Sequence, residues 1–220
     1  MNLFAKRLIR LTPLLLSFLL SSYIFAFSSH AAAAEPSGIY KTIDTRLCDD
    51  TIKALHDLKG QKQQDVVNTV LAKPEDFSPP ALYYLSVVLF QQGKKDESVF
   101  WYNAGRLRAQ IDANICADKS AAKIIYAMNG KYGRLINQYA LTNLPVLTNA
   151  FERVLAWEEK TPCHYDRRWI NLHGMKALNG ETDSVLSAPL DQWEAIRKRT
   201  REEFAAEFHK AMADFNQAKH

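Results

Sequence analysis

The segment from Ala81 to Arg108, ALYYLSVVLFQQGKKDESVFWYNAGRLR, leaves this chain little choice of fold. Leu82, Leu85, Val88 and Leu89 recur at helical spacing and mark one apolar stripe. Gly93 stops it. Val99, Tyr102, Gly105 (or Ala104) and Leu107 carry the stripe onto a second helix, which Asp96 can help to start. Two helices joined by so short a glycine-containing link predict an antiparallel hairpin over 79–110. Ser78-Pro79-Pro80 suits its beginning, because proline is well placed in a first helical turn. A lone hairpin cannot bury its own apolar face and needs helical neighbours.

Neighbours are available on both sides. Asp49 or Asp50 can cap a helix running to about Leu71, with Gly60 dividing it in two. Lys119–Met128, Leu135–Tyr139 and Thr142–Trp157 read as further helices. From Trp193 an aromatic stripe runs through Ile196, Thr200, Phe204, Phe208, Met212 and Phe215 at spacings of three or four, predicting a helix of 25 or so residues. No stretch alternates convincingly as a strand does. The fold class expected is all-α: helical hairpins with a long C-terminal helix packed across them, forming a single domain over 35–220.

The hairpin resembles a tetratricopeptide repeat, and in particular the Sel-like kind. Leu85-Ser86, Gly93 and Ser98 before FWYNAG occupy the places of the small residues and turn glycine of such repeats. Ser98 and Gly105 stand where alanine is usual, and the match covers only about 28 residues. The resemblance implies stacked hairpins that bind another protein. It makes an adaptor, or an immunity protein against a neighbour's toxin, the natural expectation. Tyr83, Tyr84, Phe100, Trp101 and Tyr102 are the aromatic candidates for that surface.

The N-terminus carries a second signal. Lys6, Arg7 and Arg10 precede the apolar run Leu11–Phe27, which ends in SSHAAAAEP. That order is a secretory signal peptide, with cleavage expected after Ala34. The whole chain has 28 Lys and Arg against 24 Asp and Glu, a net charge of +4. From Glu35 onward 25 bases face 24 acids, so basicity argues for export and not for a nucleic-acid partner. The released chain is expected to be periplasmic, with a protein partner, no cofactor and no membrane anchor.

Cys48, Cys116 and Cys163 lie 68 and 47 residues apart, with no C-x-x-C motif. Export favours one disulfide, and Cys48–Cys116 is the pairing expected, since each lies beside an aspartate at a helix border. The segment Thr161–Leu178 (TPCHYDRRWINLHGMKAL) gathers unusual residues. It resembles uncharacterised secreted bacterial proteins with a YD-x-RW-x-x-LHG string, which implies no activity. His164, Asp166 and His173 are ligand types for a transition metal, or acid–base groups of an envelope hydrolase, but their spacing fits no zinc clamp. Tyr165 and Trp169 as packing residues, with Asp166 capping or pairing with an adjacent arginine, is the better reading. No serine-hydrolase elbow, metalloprotease helix, P-loop or dinucleotide fingerprint occurs. Arg197, Lys198, Arg199 and Arg201 precede Glu202 and Glu203, which predicts a solvated face with Lys198–Glu202 and Arg199–Glu203 pairs.

Overall fold

The computed structural model of the protein describes residues 36–217; the signal peptide expected over 1–34 lies outside the described residues. The fold is all-α. The helices are α1 (Arg46–Asp57), α2 (Gly60–Ala72), α3 (Pro79–Gln91), α4 (Lys95–Ile115), α5 (Lys123–Thr142), α6 (Leu144–Lys160), the one-turn α7 (Met175–Leu178) and α8 (Trp193–Gln217). Short 3-10 turns link them, the longest being Arg167–His173. No strand occurs among the described residues, although a single bridge pairs Cys116 with Ser187. Glu35–Glu202 forms one compact unit, and α8 from Glu203 belongs to a second.

The α3–α4 hairpin is the centre of the compact unit. Helix α3 carries no charged residue, and most of it is buried. It ends at Gly93, whose φ of +80° is the left-handed conformation that glycine adopts without strain. Asp96 and Glu97 then occupy the first turn of α4, where the helix dipole favours negative charge. Helix α4 packs against α3, α5 and α6, and α3 lies between α1 and α5. Small residues let the two hairpin helices close up. The Ser98 hydroxyl donates to the Ser86 carbonyl at 2.7 Å, and both residues are fully buried. A β-carbon on Gly105 would stand 3.1 Å from the Tyr83 ring.

Several boundaries differ from expectation, each for a physical reason. The first long helix is indeed two, separated at Leu58-Lys59, with Gly60 at φ +57° starting α2. The hairpin's second helix runs on to Ile115. The two helical runs expected between Lys119 and Tyr139 are one helix, α5, which Gly130 and Gly133 do not interrupt. Gly133 has a packing role: a β-carbon there would collide with the Tyr102 hydroxyl. Helix α8 runs from Trp193 as the aromatic spacing predicts.

The first ten residues of α8 dock on the hairpin layer mainly through polar contacts. Glu158 of α6 is buried and accepts from Arg197 Nε at 2.6 Å and Arg201 Nη1 at 2.8 Å. Arg197 also donates to the carbonyls of Glu158, Glu159 and Thr161, which are orphan acceptors at the end of α6. Asn114 donates to the Thr200 hydroxyl at 2.8 Å. Arg197 and Arg201 are therefore turned inward, where a solvated face was expected, while Lys198 and Arg199 are exposed. Beyond Glu202, Phe204, Phe208, Met212 and Phe215 are half-buried.

The close approach at Ser86 and Ser98 separates two substitutions. Ser98→Ala loses one hydrogen bond, costing about 1 kcal/mol. Ser98→Leu must also force the helices apart, adding about 1–3 kcal/mol. Urea denaturation of the two variants should show that order.

Candidate interaction surface

Four of the five aromatics singled out from the sequence are interior. Tyr83, Phe100, Trp101 and Tyr102 are each 6% exposed or less, so they do not form an outward surface. Tyr83 stacks edge-on against Tyr102 with 5.4 Å between centroids and donates its hydroxyl to Asn129 at 2.8 Å. The Tyr102 hydroxyl accepts from Asn137. Phe100, Trp101 and Trp157 form an edge-to-face trio between α4 and α6. Such pairs stabilise beyond their buried area. The reason for the difference is that α4 has neighbours on nearly every side, so that even Asn103 and Asp112 are buried.

Tyr84 alone of the five reaches the surface. Consecutive helix residues point about 100° apart. With Tyr83 turned inward, Tyr84 is half-buried between α1 and α5. Its ring meets Tyr132 edge-on at 6.0 Å and lies 6.3 Å from the exposed His56 ring. Partial burial raises the phenol's pKa above its ordinary value. The Lys131 ammonium sits 5.1 Å from the centre of the Tyr132 ring, within cation–π range. Three helices thus contribute one aromatic row, His56–Tyr84–Tyr132, with a cation at its edge. His56 and Tyr132 carry no sequence signal that joins them to Tyr84, because their proximity depends on helix stacking.

The 163–173 segment is held to the domain by separate contacts. Asp112 on α4 is fully buried and accepts from Arg167 Nη1 at 2.8 Å, the Tyr165 hydroxyl at 2.9 Å and Trp169 Nε1 at 2.8 Å. Burial pushes the Asp112 carboxyl upward, and the three donors oppose that push. Arg167 and Trp169 can only donate, so a proton on Asp112 would have to be accepted by the Tyr165 hydroxyl or displace one of them. Arg108, one turn earlier, is also buried: its guanidinium lies 4.2 Å from the Trp157 ring centre and donates to the Pro162 carbonyl at 2.8 Å. An Arg and an Asp four apart on the helix face that carries Trp101, Ala104 and Ile115 are the signal by which sequence reasoning could have found this network.

The weak metal candidates are not brought together. His164 Nδ1 lies 2.9 Å from Asp76, Asp166 accepts from Arg168 and from the Asp44 amide, and His173 stacks edge-on with Trp169. Among the described residues no group of three or more His, Cys, Asp or Glu side chains could hold a metal ion. Asp166 caps the Arg167–His173 turn, as the packing reading expects. Gly174 has a steric role, since a β-carbon there would stand against the Asp118 carboxylate. That carboxylate accepts from Ser120 and from the Lys176 amide. Burial raises its pKa, but these donors prevail and hold it below the ordinary carboxylate value.

The expected Cys48–Cys116 disulfide is absent, and all three thiols are free. Each cysteine has its own surroundings. The Cys48 thiol lies beside Ser78 and the Ala81 backbone, Cys116 bonds to Asp118 and Asn171, and Cys163 to the Tyr165 carbonyl. Burial pushes each thiol up to about 11. Little reactive thiolate is then present at neutral pH, which protects the sulfurs from oxidation.

Comparison with known proteins adds little. No protein-family profile matches the chain, and no solved structure matches it. A 138-residue stretch is 28% identical to an uncharacterised protein of Haemophilus influenzae, covering 62% of this chain and 51% of that protein. The chain therefore spans about half the length of this curated relative. No described helix is long and apolar enough to cross a membrane.

Two substitutions test these contacts. Asp112→Asn leaves Arg167 buried without its counter-charge and should cost about 3–5 kcal/mol; Tyr165→Phe should cost only about 1 kcal/mol. Chemical denaturation measures both. Gly174→Ala has no backbone penalty, as Gly174 has φ −84° and ψ 156°. Its cost of about 1–3 kcal/mol is steric, and should shrink when Asp118→Ala is added, as a double-mutant cycle would show. The lowered Asp118 pKa places its contribution above about pH 4, to be lost as pH falls through the folded value.

Proposed function

We propose that this chain is an exported, non-enzymatic, helical-repeat-like protein that binds another protein in the bacterial envelope, as an adaptor or an immunity protein. The observation that carries the reading is the His56–Tyr84–Tyr132 row on the α1–α3–α5 side of the hairpin. Half-exposed tyrosines on a rigid helical scaffold are apt anchors for a partner, because they bury large area with little loss of side-chain freedom. The Sel-like pattern of the α3–α4 hairpin supports protein binding by resemblance. The charged, apolar and alanine-rich order of residues 1–34 supports export to the periplasm, and the bacterial source of the relative fits that setting.

The test is affinity capture from an envelope extract with the tagged full chain. A stoichiometric partner should be recovered, and the Tyr84→Ala/Tyr132→Ala double variant should bind it at least tenfold more weakly with helical circular dichroism unchanged. Recovery of no stoichiometric partner would sink the protein-binding reading. Equal affinity of the variant would remove the aromatic row from it.

A further inference from the structure

Helix α5 differs from the rest of the molecule in its charge. It carries Lys123, Lys131 and Arg134 and no acidic residue, and all three cations are exposed. At 100° per residue the three share an arc of about 80° on one side of the helix. None of them makes an ion pair among the described residues. Arg134 contrasts with six arginines elsewhere that are held to carboxylates: Arg46 by Asp44, Arg153 by Glu97, Arg167 by Asp112, Arg168 by Asp166, and Arg197 and Arg201 by Glu158.

Exposed apolar side chains border the same arc. Tyr126 is 77% exposed, Leu135 52% and Leu141 41%. The stretch from Lys123 to Leu141 is about 27 Å long at 1.5 Å per residue. Lys131, beside the Tyr132 ring, joins this arc to the aromatic row. Unpaired cations flanked by exposed Tyr and Leu complement a ligand that is acidic along its length and apolar at intervals.

We infer that the exposed arc of α5 docks an acidic, amphipathic helical segment of the partner protein. This rests on the protein-binding reading and names the partner's chemistry. Glutamates and aspartates of the segment pair with Lys123, Lys131 and Arg134, and its apolar residues cover Tyr126, Leu135 and Leu141. Three exposed pairs contribute mainly to encounter rate and selectivity, and salt weakens them.

A peptide of about 18 residues, long enough to match the arc, tests this with the full chain. It carries glutamate on one helical face and leucine on the other, and its control has lysine in place of every glutamate. Fluorescence anisotropy should show binding of the glutamate peptide, weaker binding as salt is raised, and none of the lysine peptide. The Lys131→Glu/Arg134→Glu variant should lose at least tenfold in affinity. Lys123→Gln, a milder change, should lose a smaller factor in the same direction. The inference is overturned if the glutamate peptide does not bind, or if both variants bind it as the parent does. It is equally overturned if phosphatidylglycerol vesicles bind the chain and the peptide does not. Failure here with a Tyr84-dependent partner still captured would remove the acidic segment alone. Failure of both experiments would remove the protein-binding reading as well.

Discussion

The close approach of α3 and α4 is the constraint on which the other contacts depend. Ser86 and Ser98 meet across it, and Gly105 leaves room for the Tyr83 ring. With larger residues there the two helices would stand apart, and the Tyr83–Tyr102 pair would lose its edge-on contact. The same ring pair supports α5 through Asn129, Asn137 and the space left by Gly133. Helix α4 is consequently enclosed by its neighbours, and residues of every polarity along it are buried.

That enclosure explains the buried charges. Asp112 and Arg108 lie on faces of α4 that are otherwise apolar, and each is hydrogen-bonded by the segment after α6. A buried pair of this kind adds little net stability compared with an apolar one, but losing one partner is expensive. Its effect is to dictate where the 161–173 segment must lie. Glu158 does the same for the start of α8, using two arginines one turn apart. Polar contacts therefore position the irregular parts of the chain, while apolar and aromatic packing holds the hairpins.

The surface left over is where function is sought. Tyr84 became accessible because its neighbour Tyr83 took the interior position, and His56 and Tyr132 came to flank it through the stacking of α1, α3 and α5. The apolar and glycine spacing made the hairpin, its turn and the start of α8 legible. Residue types alone allowed Asp166 to be read as a cap or as an arginine partner, and it is both. The spacing could not show which of the five aromatics faced outward, since α3 is uncharged and apolar enough to be read on several faces. Nor could it show that Arg197 and Arg201 turn inward, because that depends on Glu158, 39 and 43 residues away. The disulfide expectation failed for a related reason: cysteine spacing along the chain says nothing about distance in space.

By itself the sequence determined local matters: an all-α class from helical periodicity, a hairpin from Gly93, and a long last helix from the stripe beginning at Trp193. These follow from interactions between residues three or four apart, which any single chain displays. Only the tertiary structure decided which side chains are core and which are surface, which charges are paired, and which three helices share the aromatic row. Those outcomes depend on contacts between residues tens of positions apart, and such contacts exist only once the helices have packed.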